Sequence, residues 1–338
     1  MTTSALQHEG LPYGVDDLDP QVALVAEKPR QVRCYIQDCQ HVLHTPTRTE
    51  RGNICPDHGI RCHCSSAGAT YAYADPARNI IVSAREFKQQ IIGHPFKYES
   101  HRLGLERSED TLSWNVFRSL QEAKALAPFA QQVTGETSTL EPFLYLWGIG
   151  VSIDEFLPWD LLVAARQHFE SNLPVERPLT EPDIALHLPG RYLILIEAKF
   201  TSPNTFYKPG PRKDRSSLTF EELIRIYQDP NLKCLDVKKA ESSSRIPYQL
   251  WRNMIFAEWM AAADHPRTKA YHVNLVREGY EVKTAQEFSG LLHEKSQDRF
   301  QQFTWEQIYR LIELQPRLDR LQKYLQTKTA GLKKAFRI

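Results

Sequence analysis

Residues 181–199 read EPDIALHLPGRYLILIEAK, and the fold turns on this stretch. Pro189-Gly190 is a strong turn signal, and it separates two strand-like runs, Asp183–Leu188 and Tyr192–Ala198. The second run is almost continuously apolar, which places it at the centre of a sheet. If the two runs pair through the turn, Asp183 comes to lie beside Glu197. Glu197 and Lys199 are two residues apart, so their side chains leave the same face. Two carboxylates at one strand edge form a hard, oxygen-rich site of the kind Mg²⁺ prefers. A lysine beside them is placed to orient or deprotonate a water and to offset phosphate charge, which is the equipment for phosphodiester hydrolysis.

An acidic-x-Lys triplet alone decides little, because Glu86–Lys88, Glu122–Lys124, Asp236–Lys238 and Glu281–Lys283 have the same form. Glu197-Ala198-Lys199 differs in its setting. A charged pair that ends a run as apolar as YLILI has to be paired or ligated if it is buried. The plainer alternative is a strand that emerges into solvent after Ile196.

Outward from the hairpin, apolar spacing predicts a helix over 109–127, started by Asp110 or Ser108 and stopped at Pro128. A strand is expected over 143–149 and a helix over Asp160–Phe169. A Pro-, Ser- and Lys/Arg-rich loop is expected over 201–217, then helices over Glu221–Tyr227 and Tyr248–Ala263. A strand over Ala270–Val276 and an amphipathic helix over Trp305–Leu325, broken or kinked at Pro316, complete the reading.

Pro182-Asp183 followed by Glu197-Ala198-Lys199 resembles the PD-(D/E)xK nuclease superfamily, over roughly Glu109 to Val276. The resemblance implies an α/β, restriction-endonuclease-like core in which helix, three strands, helix and strand build a mixed sheet flanked by helices. It further implies catalytic Mg²⁺ or Mn²⁺ held by Asp183, Glu197 and the Ala198 carbonyl, with Lys199 positioning the attacking water. It points to Glu109 (or Asp110) as a further carboxylate on the first helix, and to Gln249 as the residue that holds the water or a DNA phosphate. Glu181 is a weaker candidate. The implied partners are double-stranded DNA and a second copy of the chain. A nucleic-acid-binding protein without catalysis and a zinc-stabilised structural protein are the alternatives.

Five of the six cysteines lie between Cys34 and Cys64. Cys34 and Cys39, then Cys55 and His58, are paired ligands separated by a loop, the usual arrangement around structural Zn²⁺. Cys62 or Cys64 is an alternate to His58, His44 and His63 are weaker ones, and an iron–sulphur cluster is the rival reading. Cys234 reads as an ordinary thiol. Lys208, Arg212, Lys213 and Arg215 form a basic loop suited to a DNA backbone, beside Phe206 and Tyr207. Arg48, Arg51 and Arg61 add charge to the cysteine region, and Lys328, Lys333, Lys334 and Arg337 make a basic end.

The chain has 338 residues, 42 basic and 41 acidic, for a formal net charge of +1, so any nucleic-acid surface must be local. No apolar run spans a bilayer and no secretory leader is evident, so a cytoplasmic setting is expected. Composition suggests an arm over 1–30, a zinc module over 31–75, a nuclease-like domain over 76–290 and a helical extension with a basic tail over 291–338.

Overall fold

The computed structural model describes residues 11–24, 30–46, 52–65, 68–93, 103–151, 157–173, 179–208 and 219–338. Two compact units emerge, Met1–Ser119 with Ile312–Ile338, and Leu120–Leu311. The boundaries drawn from composition after residues 75 and 290 fall inside these units.

The second unit is built on a mixed six-stranded sheet. Its strands are β5 (Phe143–Leu146), β6 (Ile149–Gly150), β7 (Ile184–Leu188), β8 (Tyr192–Ala198), β11 (Lys269–Val276) and β12 (Phe300–Thr304), in the order β12-β11-β8-β7-β5-β6. β5, β7 and β8 run antiparallel, while β11 is parallel to β8 and β12 is parallel to β11. Every residue of β7 and β8 is buried, as expected for strands covered on both faces. The helices Asp160–Glu170 and Tyr248–Asp264 cover one face, where Leu162, Phe169, Leu250, Met254 and Ala257 pack with Leu193 and Leu195.

The expected strand over 143–149 is a strand and a tight turn. Trp147 and Gly148 both take positive φ, the conformation that matches the twist of a two-residue hairpin. A Cβ on Gly148 would lie 2.5 Å from Leu162 Cδ2, so packing as well as φ demands glycine there. The helix expected over 109–127 is two helices, Glu109–Glu122 and Leu126–Thr134. Pro128 does not stop the first. It sits in the first turn of the second, where no helical partner awaits its missing N–H. The long C-terminal helix is broken as expected, into Trp305–Ile312 and Asp319–Thr327 with a 3₁₀ turn at Pro316–Leu318.

In the first unit the cysteine-bearing segments form two hairpins, β1 (Gln31–Arg33) with β2 (Val42–His44) and β3 (Ile60–Ser65) with β4 (Gly68–Tyr73). Their core includes Tyr35, Leu43, Ile60, Tyr71 and Tyr73. Leu18 and Val22 join it, so the described part of the N-terminal segment is packed rather than loose. The basic C-terminal end is also folded in. Lys328 is buried, its Nζ donating to the Glu106 carbonyl, and Leu332 N donates to Glu106 Oε1 at 2.9 Å. Among the described residues no helix is long and apolar enough to cross a membrane.

Candidate active site and metal centre

The β7–β8 register pairs Ile184 with Ile196, which brings Asp183, just before β7, alongside the end of β8. Asp183 Oδ2 accepts a hydrogen bond from Ala198 N at 2.8 Å. The Asp183 carbonyl accepts one from Trp147 N at 3.2 Å, which ties it to the β5–β6 turn.

Glu197 is 2% exposed and Lys199 6% exposed, so neither emerges into solvent. Lys199 Nζ lies 2.6 Å from Glu197 Oε1. Gln249 Nε2 donates to the same oxygen, and Asn253 Nδ2 donates to Oε2 at 2.8 Å. Both amides come from the first two turns of the helix Tyr248–Asp264, one helical repeat apart on one face. A carboxylate buried this deeply calls for such pairing. The backbone of Lys199 is held on both sides, its N–H donating to Leu275 O at 2.8 Å and its carbonyl accepting from Trp305 Nε1 at 3.2 Å.

Across the parallel ladder, Asn274 is the register partner of Glu197. Asn204 Nδ2 donates to Asn274 Oδ1 at 3.1 Å and to Glu281 Oε2 at 3.0 Å, extending the polar row. Asn253 and Asn274 escaped the sequence reading. The only signal was the amide spacing Gln249-x-x-x-Asn253, which gains meaning only once Glu197 faces that helix.

Of the other expected residues, Glu181 lies 3.9 Å from Arg166 Nη2. Glu109 heads the helix Glu109–Glu122 in the first unit. Lys208 is exposed, whereas Arg212, Lys213 and Arg215, like Arg48 and Arg51, lie outside the described residues. Asp183, Glu197 and the Ala198 carbonyl are all hard oxygen donors.

The cysteine cluster is a separate centre. Among the described residues one group of three or more ligand side chains converges, Cys34, Cys39, Cys55 and His58, with ligand atoms all within 4.8 Å of one another. Cys39 Sγ is 3.7 Å from Cys55 Sγ, and His58 Nδ1 is 3.7 Å from Cys34 Sγ and 3.4 Å from Cys55 Sγ. A tetrahedron with Zn–S bonds of about 2.3 Å has edges of about 3.8 Å, so the set fits Zn²⁺. Gly59, at φ 59°, turns the chain after His58, and its N–H closes onto Cys55 O at 2.8 Å. Burial pushes the Cys34 and Cys55 thiols up, so it would take a divalent cation to draw them into the thiolate form. Cys62 and Cys64 stand apart from the four. Their Sγ atoms are 3.9 Å from each other, and Cys62 Sγ lies 3.0 Å from Tyr35 Oη. The Cys₃His cluster is thus consistent with a zinc-binding module.

No curated protein and no solved structure matches the chain. Residues 170–328, the stretch that holds Asp183, Glu197, Lys199, Gln249 and Asn253, match the family model described as Restriction Endonuclease associating with ARP, and over that stretch the chain is similar to this family.

Proposed function

We propose that the chain is a divalent-metal-dependent endonuclease that hydrolyses DNA phosphodiester bonds, with Asp183, Glu197, the Ala198 carbonyl and Lys199 at the reacting centre. One observation carries this reading. Asp183 accepts from the backbone N–H of Ala198, between Glu197 and Lys199 at the end of a buried strand, and Lys199 Nζ sits 2.6 Å from Glu197 Oε1. The similarity of residues 170–328 to a restriction-endonuclease-associated family supports it. So does the mixed sheet flanked by helices around β8.

Gln249 and Asn253 fix the Glu197 carboxylate, and the Ala198 N–H fixes Asp183, so the acidic groups are oriented before substrate arrives. When bound, Mg²⁺ supplies Lewis-acid activation of water and charge stabilisation at the phosphoryl oxygens. Lys199, paired as an ammonium with Glu197, orients the attacking water and offsets the charge on the non-bridging oxygens. The water oxygen bonds to phosphorus as the bond to the leaving oxygen breaks; the water gives up its proton to solvent, and the leaving oxygen takes one from solvent. No covalent enzyme intermediate forms. Glu109 takes no part in this account.

The test is cleavage by the full chain of supercoiled plasmid, linear duplex, single-stranded DNA and RNA, with Mg²⁺, Mn²⁺ or Ca²⁺. Cleavage with Mg²⁺ or Mn²⁺ that is lost in Lys199→Ala and Glu197→Gln is the expected result. Tight binding without cleavage under every condition would overturn it in favour of a non-catalytic nucleic-acid-binding protein. Neither binding nor cleavage would leave a zinc-stabilised structural protein.

A further inference from the structure

A cavity of about 550 Å³ is lined by the edge strand β12, the helix Val282–Gly290 and the first turns of the helix Trp305–Ile312. Its size is that of a small-ligand site, roughly 300–1,000 Å³. It opens to solvent, since Val282, Gln286 and Arg310 on its lining are exposed. Alternate residues of β12, Phe300, Gln302 and Thr304, turn one face of the sheet into it.

That face is the one that carries the candidate reacting groups. Glu197 is the register partner of Asn274, and Asn274 is the register partner of Gln302. Partners in a parallel ladder point their side chains the same way, so Glu197, Asn274 and Gln302 form one row across β8, β11 and β12. Two strand spacings, roughly 10 Å, separate the backbone of Gln302 from that of Glu197.

The lining holds two amides whose orientation is fixed. Gln302 Nε2 donates to Tyr280 O at 2.7 Å, which leaves Oε1 as an acceptor. Gln307 Oε1 accepts from Thr304 N at 2.8 Å while its own N–H donates to Thr304 Oγ1 at 3.1 Å, a capping box that leaves Nε2 as a donor. Among the described residues neither of these two remaining atoms has a partner. Phe300 and Val282 supply apolar surface beside them. Glu278 and Arg310 add one charge of each sign, so the cavity offers no net attraction to an anion. A set donor, a set acceptor, apolar walls and balanced charge suit a neutral, planar heterocycle. The edge of a nucleobase places a donor beside an acceptor, and a carboxylate such as Glu278 accepts from a base amino group.

We infer that this cavity takes an unpaired nucleobase, with Gln302 and Gln307 reading its edge. Its place on the face of Glu197 puts that base within one or two nucleotides of the bond being cleaved. The assignment to a nucleic-acid strand rests on the nuclease reading; the affinity for a base does not, and a free nucleotide presents the same chemistry.

The experiment is binding of fluorescein-labelled 20-mers to the full chain in EDTA, followed by anisotropy. The strands are dA, dC and dT homopolymers and a 20-mer of abasic residues. Wild type is expected to bind at least one homopolymer about tenfold more tightly than the abasic strand. Gln302→Leu, Gln307→Leu and Val282→Trp leave net charge unchanged. Each is expected to abolish that preference and to bind the abasic strand as wild type does. Val282 is 46% exposed, so tryptophan there fills the cavity from the surface, and this variant decides if melting curves show that an amide variant does not fold. Calorimetric titration with the deoxynucleoside monophosphates separates the two sources. Monophosphate binding that the variants lose, with no base preference among the 20-mers, assigns the cavity to a free nucleotide. A wild type that binds base-bearing and abasic strands equally and takes up no monophosphate overturns the inference. So does a base preference that survives Val282→Trp. Absence of cleavage with any metal would remove the nuclease reading and leave the base-binding result standing.

Discussion

Lys199 and Glu197 are a buried ion pair on one face of the central strand, with Nζ 2.6 Å from Oε1. Lys199→Met is expected to lower cleavage by two to three orders of magnitude, about the loss seen when one positioned charge-stabilising donor is removed. It also leaves a buried carboxylate without its cation, at a cost of about 3–5 kcal/mol. The double change Lys199→Met with Glu197→Leu should therefore melt higher than Lys199→Met alone. A thermal-melting series in EDTA checks this, and an additive loss would show that the two groups do not act as a pair.

Asn253 holds the second oxygen of Glu197 at 2.8 Å from a helix that lies across the sheet face. Asn253→Ala is expected to raise the Kd for Mn²⁺ about 10- to 100-fold, the usual effect of losing a group that orients a metal ligand. Asn253→Asp sets a second carboxylate against the first. It should melt lower than wild type in EDTA and recover on addition of Ca²⁺. Calorimetric titration and melting read the two effects, and an unchanged Mn²⁺ affinity in Asn253→Ala would refute the assigned role.

Zinc analysis of the purified chain should give one equivalent. Cys55→Ser is expected to lose it, whereas Cys62→Ser and Cys64→Ser should retain it, because those thiols lie outside the converged group. Chelation should expose the core around Tyr35, Leu43 and Ile60 in the first unit.

His272 is buried beside Phe288 and Phe300, and its Nδ1 donates to Leu195 O at 2.9 Å. Burial lowers its pKa from 6.5 to about 4, against the partial opposition of that hydrogen bond. The unfolded chain therefore takes up a proton that the folded chain refuses. Stability from this group is complete above pH 6.5 and falls as the pH drops towards 4, by up to about 1.4 kcal/mol per pH unit. His272→Phe should flatten the stability–pH curve in that window. Urea midpoints from pH 7 to 4 measure it, and parallel curves for wild type and variant would exclude the effect.

The hairpin was legible because its signals are local. An apolar run closed by Pro189-Gly190 specifies β8, and the pairing then follows from the turn. The strand β12, FQQFT, was not legible. It carries two apolar residues, and its parallel pairing with β11 is fixed by nothing nearby in the chain. Pro128 misled because the same residue stops one helix and opens another. The metal cluster could be read from spacing as far as Cys34, Cys39 and Cys55. Whether His58 or Cys62 completes it depends on where β3 begins, since Cys62 lies inside that strand and His58 in the turn before it. Lys328 looked like a solvated tail residue because its acceptor, the Glu106 carbonyl, is far away in sequence.

The Pro189–Gly190 turn lies at the opposite end of β8 from Lys199, seven strand residues and about 23 Å away at 3.3 Å per residue. It nevertheless acts as the ruler for the reacting groups. Side chains alternate between faces, so one residue inserted at this bend would swing Glu197 to the wrong side and bring Ala198 or Ile196 into its place. Two inserted residues would restore the face but slide the carboxylate past Asp183. A change of length is thus costly even at a bend remote from any chemistry, where insertions are ordinarily harmless.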